Sequence, residues 1–164
     1  MADDRINCIA VDSSKESERA FDWYIKHFHK NNDTALLVHV QETPKQSIES
    51  LVEGKGQRYT SIYKSFKKSE KVLDKYKSRC VLENIKFTPY LAQKQGSVGQ
   101  TICNVAEAQN ASVIVTGKRN LDKISKTLLG TKSDFIAQNS QIPILIVPFN
   151  KEKLKICSPK VTKK

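Results

Sequence analysis

Ile6-Asn-Cys-Ile-Ala-Val11, followed directly by Asp12-Ser13-Ser14, is the most informative stretch of this 164-residue chain for its fold. A short, nearly continuous apolar run of this kind is typical of a strand that is covered on both faces of a sheet. Ser13 is the predicted cap of the next helix, and Glu16 three residues later completes a capping box. The stretch therefore predicts the strand, polar turn and helix that begin a parallel α/β unit.

The same alternation continues along the chain. Further strands are predicted over residues 35–40, 85–92, 112–116 and 142–147, with helical patterns between them. Pro89 cannot donate a ladder hydrogen bond, so the strand that contains it is predicted to lie at a sheet edge. Together these elements predict an open five-stranded, mostly parallel α/β sheet with helices on both faces, in a Rossmann-like arrangement. In such sheets, ligands bind beyond the carboxyl ends of the strands.

The net charge is +11, and the positive charge is concentrated in two segments. Residues 55–94 carry eleven Lys or Arg against three acids, and residues 151–164 carry six lysines against one glutamate. Such a surface attracts polyanions, although a solvated basic face is the simpler interpretation. Apolar residues recur at helical spacing within the first segment and are expected, like Trp23, to make core contacts: Tyr59, Ile62, Tyr63, Phe66, Leu73 and Tyr76.

Length and composition favour a single domain over residues 1–150, followed by a basic, flexible tail over residues 151–164. The chain has no stretch of about eighteen apolar residues that could span a membrane. The first five residues lack the pattern of a signal peptide, so the expected location is the cytoplasm. The four cysteines form no C-x-x-C pair and no cluster with histidine, so we expect free thiols and no metal site: Cys8, Cys80, Cys103 and Cys157.

Residues 115–133, Val-Thr-Gly-Lys-Arg-Asn-Leu-Asp-Lys-Ile-Ser-Lys-Thr-Leu-Leu-Gly-Thr-Lys-Ser, carry the candidate chemistry. Gly117 ends a strand, and Gly130-Thr131 open a helix after twelve intervening residues. Glycine lets backbone N–H groups approach phosphate oxygens, and a helix N-terminus adds unpaired donors and its dipole. Spacing alone leaves open a phosphate-binding loop and an ordinary strand-to-helix connection. Positive charge nearby comes from Lys118, Arg119, Lys123, Lys126 and Lys132.

Gly117-x-x-Asn120-x9-Gly130-Thr131 resembles the nucleotide signature of the universal stress protein family, which reads Gly, two residues, Gly, nine residues, Gly and then Ser or Thr. Segments around the first, fourth and fifth predicted strands also resemble the family, so that the resemblance extends over residues 5–148: Ile9-Ala-Val-Asp12-Ser-Ser, Asn110–Gly117 and Gln141–Val147. The second glycine of the signature is Asn120 here, a residue that tolerates left-handed backbone angles better than most.

The resemblance implies a sheet of the adenine nucleotide alpha hydrolase-like type with strand order 3-2-1-4-5, and it places Asp12 and Gly117 beside one crevice. In ATP-binding members, adenine is held at the positions of Asp12 and the Val40 backbone. The ribose and phosphates are held at positions matching Gly117, Asn120, Gly130 and Thr131, and the expected site is completed by Ser13, Thr116, Arg119, Lys132 and Ser133. The family also implies a homodimer through the strand Ile142–Val147.

The expected function is therefore that of a stress-response sensor or regulator that binds ATP, with or without Mg²⁺, or AMP, and acts on unidentified protein partners. No general base is placed by the motifs, so at most slow ATP hydrolysis is expected. One alternative is an interaction module of the same fold without nucleotide, which Asn120 favours. Another is polyanion or nucleic-acid binding through the lysine-rich surface, which is disfavoured because the sequence shows no aromatic residues expected to be exposed among the lysines.

Overall fold

The computed structural model of the chain describes residues 4–42, 55–118 and 131–148. Strands and helices alternate along these residues. In chain order the elements are β1 (Ile6–Ala10), α1 (Lys15–His27), β2 (Thr34–Gln41), α2 (Lys55–Leu82), β3 (Phe87–Gln93), α3 (Val98–Ala108), β4 (Val113–Gly117), α4 (Thr131–Asn139) and β5 (Ile144–Val147).

The five strands are all parallel and lie in the order β3-β2-β1-β4-β5. β1 is central, since Cys8 lies beside Leu36 of β2 on one side and beside Ile114 of β4 on the other. This arrangement confirms the parallel α/β sheet predicted from the sequence pattern and the strand order implied by the family resemblance. β3 is an edge strand, as the proline at position 89 predicted. Because the strand order reverses at β1, the carboxyl ends of β1 and β4 border a crevice.

Helices cover both faces of the sheet. On one face, α1 and α2 meet through Phe21 and Tyr76, whose ring centroids lie 5.1 Å apart in an edge-to-face arrangement. On the other face, α3 and α4 pack over the sheet, with Ile102 fully within the apolar layer. Successive residues of β1 point to opposite faces of the sheet: Ile9 packs in the layer under α1 and α2, and Cys8 packs in the layer under α3 and α4. This double burial explains why the strand is almost continuously apolar.

The start of α1 differs from the prediction by one residue. Ser14, rather than Ser13, is the N-cap, and its hydroxyl accepts a hydrogen bond from the Ser17 backbone N–H at 3.2 Å. The reason is an Asx turn, in which the Asp12 carboxylate accepts the Ser14 backbone N–H at 2.9 Å. Because of this turn, the helix begins at Lys15, one residue later than predicted.

α2 also departs from the expected core stripe. Leu73 and Tyr76 are buried as predicted, but Tyr63 is 60% exposed and Phe66 is partly exposed. Ser65 already contacts the carbonyl of Glu42, the residue that follows β2, at 3.3 Å. The turns of α2 before Ser65 therefore extend beyond the ends of the strands. The apolar residues of these turns have no sheet to pack against. Exposure is likewise larger than expected at Ile62 and Trp23.

Cys8, Cys80 and Cys103 are buried free thiols, in agreement with the sequence, and burial raises the pKa of Cys8 to about 12. Cys157 and the predicted tail over residues 151–164 lie outside the described residues. Among the helices that the structure describes, none is long and apolar enough to cross a membrane.

An ion pair joins the amino ends of β1 and β2. The Arg5 guanidinium donates to both carboxylate oxygens of Asp33 at 2.8 and 2.6 Å, and the Lys30 backbone N–H also donates to Asp33 at 2.9 Å. Burial raises the pKa of Asp33, but these hydrogen bonds lower it by a larger amount. The pKa of Asp33 is therefore below its ordinary value. A buried carboxylate with paired donors is stabilising only while its partners remain.

We expect Asp33→Asn to lower the free energy of unfolding by about 2 kcal/mol, because the variant weakens charge-assisted hydrogen bonds to a buried side chain. Urea denaturation at pH 7 measures the change. Asp22→Asn is the matched control, since Asp22 pairs with Arg79 at 2.7 Å on the surface, where such a pair contributes at most about 1 kcal/mol. Equal losses in the two variants would contradict a structural role for the Asp33 cluster.

Candidate functional site

A cavity of about 820 Å³ opens at the carboxyl edge of the sheet. It is bordered by the ends of β1, β2 and β4 and by the first turns of α1, α3 and α4. The amino ends of three helices thus face one space, and each brings unpaired backbone N–H groups and the positive end of its dipole. Apolar side chains form another part of the wall, including Val38, Val72, Val98 and Ile102. The cavity is suited to a ligand that has both an apolar and an anionic part.

Asp12 and Lys132 form an ion pair at this cavity. The Lys132 ammonium lies 2.6 Å from Asp12 Oδ2, although the two residues are 120 positions apart in sequence. The other carboxylate oxygen, Oδ1, accepts from the backbone N–H and the hydroxyl of Ser14. The Asp12 main chain is held as well, because the Tyr76 hydroxyl donates to its carbonyl at 2.8 Å. Helices α1, α2 and α4 are therefore all connected through one aspartate.

The pKa of Asp12 is lowered to about 2. Burial raises it, but the Lys132 ammonium and the Ser14 hydrogen bonds lower it by more. Asp12 is therefore a carboxylate at every physiological pH. A lysine ammonium has three N–H donors, of which Asp12 takes one. Within the described residues Lys132 makes no other hydrogen bond, so two donors remain for an anion in the cavity.

Two largely buried residues line the cavity with hydroxyl groups that have no hydrogen-bond partner among the described residues. Thr116, at the end of β4, is 2% exposed, and Ser69 of α2 is 5% exposed. Buried polar side chains are normally hydrogen-bonded to protein or solvent. Their position indicates that a polar ligand or water completes these bonds within the cavity.

Gly117 has a packing role. A Cβ atom at this position would lie 2.4 Å from the carbonyl oxygen of Glu16, in the first turn of α1. The end of β4 and the start of α1 can therefore approach this closely only when residue 117 is glycine. Ser133 of α4 completes the contact, since its hydroxyl donates to the Gly117 carbonyl at 3.2 Å.

The structure brings many of the expected site residues to the same cavity. Those lining it are Asp12, Ser13, Val40, Thr116, Gly117, Lys132 and Ser133. Outside the described residues lie Arg119, Asn120, Gly130 and the side chain of Thr131.

Besides Val40, which was expected, the cavity wall contains His39 of β2, Lys94 after β3 and several residues of α2, and sequence reasoning missed these. His39 of β2 lines the wall, and its Nδ1 donates to the Val11 carbonyl at 2.8 Å. Lys68 lies on α2, and Lys94 follows β3 and pairs with Glu42 at 3.5 Å. The position of Lys94 just after a strand was an available signal, whereas α2 carried no local sign that it overhangs the strand ends.

A sequence model of the universal stress protein family matches residues 6–148 of the chain. The chain is also 26% identical over 155 residues to an uncharacterized protein of Schizosaccharomyces pombe, which covers 91% of this chain and 24% of that protein. The chain thus spans about a quarter of the length of that relative. It is 21% identical over 142 residues to a universal stress protein A-like protein of Arabidopsis thaliana, which covers 83% of this chain and 80% of that protein.

Solved structures show the same architecture. A universal stress protein family protein of Arabidopsis thaliana with AMP bound has a TM-score of 0.65 and 20% identity, covering 91% of this chain and 94% of that one. A universal stress protein in complex with cAMP has a TM-score of 0.60 and 20% identity, covering 87% of this chain and 96% of that one. At these identities the likeness shows a shared fold.

Gly117→Ala is expected to lower the free energy of unfolding by about 3 kcal/mol, because the added methyl group overlaps a backbone carbonyl that cannot move away cheaply. Gly96→Ala is the control: Gly96 has φ +69° but open space around it, so that only backbone strain of about 1 kcal/mol is expected. Urea denaturation of both variants measures the difference. A Gly117→Ala protein as stable as Gly96→Ala would show that the close approach is not required.

Lys132→Met is expected to raise the pKa of Asp12, because burial, which raises the pKa, is then opposed by Ser14 alone. A depressed folded-state pKa stabilises the protein above the ordinary aspartate pKa of about 4, and this contribution is lost as the pH falls through about 2. The variant should therefore lose about 1–2 kcal/mol of unfolding free energy at pH 7 and progressively less below pH 4.

Carboxyl ¹³C NMR titration reads the Asp12 pKa, and urea denaturation at pH 7 and pH 3 reads the stability. Lys26→Met is a control on the exposed last turn of α1. An unchanged Asp12 titration in Lys132→Met would refute the ion pair.

Proposed function

The chain belongs to the universal stress protein family, and on that premise we propose that its crevice binds an adenine nucleotide, ATP or AMP, with the phosphates toward Lys132. The protein acts in the cytoplasm as a nucleotide-dependent sensor or regulator of the stress response. The observation that carries the proposal is the Lys132 ammonium, which Asp12 holds at the cavity with two donors to spare. The AMP-bound and cAMP-bound relatives of the same fold support it.

Electrostatics favours the phosphates at the Lys132 end. The first turns of α1 and α4 face this part of the cavity, and the Thr116 hydroxyl there has no partner within the described residues. Helix amino ends and a lysine together form a common phosphate site. Gly130, Thr131, Arg119 and Asn120 complete the site in this proposal and extend the phosphate contacts that the family signature implies.

The base has an apolar wall to pack against. Val38 of β2 and Ile102 of α3 line the cavity, and the end of β2 brings Val40 to the same wall. Asp12 Oδ1 already accepts two hydrogen bonds, whereas Oδ2 accepts one from Lys132. A carboxylate oxygen can accept two bonds, so Oδ2 retains one acceptor for an adenine amino group or a ribose hydroxyl.

Catalysis is at most slow in this proposal. The carboxylates that line the described part of the cavity are Asp12, Glu16 and Glu42. Asp12 is held by Lys132, its pKa is about 2, and Glu42 pairs with Lys94. A carboxylate with so low a pKa is a weak general base at neutral pH. Mg²⁺ accompanies ATP through the phosphates when ATP is the ligand.

The proposed assembly is a homodimer through the edge strand β5. Ile144, Leu145 and Ile146 remain partly exposed there. An apolar strand with a free edge is usually covered by pairing or packing with another chain. A second copy of this chain, as the family implies, would cover it.

Lys132→Gln is expected to weaken ATP and AMP binding about tenfold, because it removes a charge-assisted hydrogen bond to phosphate. Adenosine binding should stay within about twofold, because adenosine has no phosphate. Isothermal titration calorimetry with the three ligands, with and without Mg²⁺, makes the comparison. Lys26→Gln is the matched control, since this exposed lysine does not line the cavity.

An equal loss for adenosine and ATP would refute the orientation of the ligand. No binding heat for any of the three ligands at millimolar concentration, together with no nucleotide released from the denatured protein, would refute nucleotide binding itself. That second result would favour an interaction module of the same fold, the alternative suggested by Asn120.

A further inference from the structure

Three lysines form a stripe on the outer side of α2. Lys64, Lys68 and Lys71 are spaced four and three residues apart, so they lie on one face of the helix. All three are exposed, and within the described residues none of them has an acidic partner. Other lysines of α2 are paired with acids: Lys67 with Glu70, Lys75 with Glu18 and Lys77 with Asp74. The stripe is thus an uncompensated cationic surface.

An exposed aromatic ring adjoins the stripe. Tyr63 is 60% exposed, and the Lys67 ammonium lies 5.6 Å from its ring centroid. A shallow groove of about 300 Å³ is lined by Tyr63 together with the neighbouring lysines: Lys64, Lys67, Lys68 and Lys71. The sequence had suggested that Tyr63 is a core residue, and nucleic-acid binding was disfavoured for lack of exposed aromatics. The exposed ring of Tyr63 supplies the aromatic residue whose expected absence had argued against nucleic-acid binding.

The stripe is continuous with the cavity at the sheet edge. Lys68 lines both the groove on α2 and the cavity that contains Asp12 and Lys132. Lys94 lies in the same cavity and makes only a 3.5 Å contact with Glu42. A path of positive charge therefore leads from the proposed nucleotide site out onto the helix surface.

We propose that the outer face of α2 binds single-stranded nucleic acid, with its terminal nucleotide in the cavity and the following phosphates along Lys68, Lys64 and Lys71. Tyr63 stacks on an unpaired base. The placement of the terminal nucleotide rests on the proposed function, whereas the binding of the following phosphates and bases does not.

The dimensions agree with a short strand. At 1.5 Å rise per residue, Lys64 and Lys71 are about 10 Å apart along the helix axis. A stacked strand presents a phosphate about every 3.4 Å, so that this length matches about three phosphates. A cationic track beside an aromatic side chain is the usual composition of a surface that binds single strands without sequence preference.

Other polyanionic partners fit the surface less well. A helix that lies on a membrane needs a continuous exposed apolar face. On α2 the exposed large apolar residues are confined to two short stretches, residues 62–66 and 81–82, and Leu73 and Tyr76 between them are buried against the sheet. A duplex offers no free base face to Tyr63 and no unpaired terminal nucleotide to the cavity. An acidic peptide matches the lysines, but it leaves the aromatic ring without a stacking partner.

The test is a length series of 5′-phosphorylated oligoadenylates of one, two, four and eight nucleotides, measured by fluorescence anisotropy or calorimetry between 50 and 200 mM salt. Affinity is expected to rise at least tenfold from the mononucleotide to the octamer. Lys64→Gln/Lys71→Gln should make the slope of log K against log salt shallower by about 1.4, since each phosphate contact on a single strand contributes about 0.7. AMP binding should not change in this double variant.

Tyr63→Ala should weaken octamer binding about tenfold without changing the salt slope, because stacking is not ionic. Lys77→Gln is the matched control on the same helix, since Lys77 is already paired with Asp74. The proposal is overturned if affinity does not depend on length, or if the double variant keeps the wild-type slope. Tighter binding to phosphatidylserine vesicles or to polyglutamate than to the octamer also overturns it. If AMP does not bind but the octamer does, the result refutes nucleotide binding in the cavity and leaves the binding surface on α2.

Discussion

The central position of β1 is the constraint on which the rest of this structure depends. From β1 the chain moves to β2 and β3 on one side and returns to β4 and β5 on the other. Parallel strands need crossover helices, and the two directions of crossover place those helices on opposite faces. Helix α1, which follows β1, and helix α4, which follows β4, therefore lie on opposite faces of the sheet, and the cavity lies at the carboxyl ends of these two strands. Asp12 and Gly117 lie at its edge because each follows or ends one of these two strands.

Features that depend on residues close together in the sequence could be predicted, whereas contacts between distant segments could not. β1 and β4 could be predicted because strands buried on both faces have almost continuous apolar runs. The same periodicity that buries Leu73 on α2 leaves Tyr63 exposed, since helical spacing identifies a face but not whether a sheet lies beneath it. The contact between Lys132 and Asp12 spans 120 residues and has no local signal. Only the resemblance to a family placed the two near one crevice.

The ion pair between Asp12 and Lys132 connects stability with ligand recognition. Burial makes a carboxylate costly unless hydrogen-bond donors compensate it, and for Asp12 these donors are Lys132 and Ser14. The same aspartate neutralises part of the Lys132 charge and fixes the direction of its remaining donors. In the proposed nucleotide complex, a ligand phosphate would therefore meet a positioned ammonium group, which reduces the conformational entropy lost on binding.

A glycine at position 117 can be explained in two ways, by phosphate binding or by packing. In nucleotide-binding proteins a glycine at such a turn lets the backbone approach phosphate. Here the Glu16 carbonyl already lies where a Cβ atom would be, so that packing alone requires glycine at this position. A chain of this fold would keep that glycine whether or not it binds a ligand. The glycine is thus weak evidence for a nucleotide, whereas the unsatisfied donors of Lys132 and the unpartnered Thr116 hydroxyl have no role in packing within the described residues and are the stronger evidence.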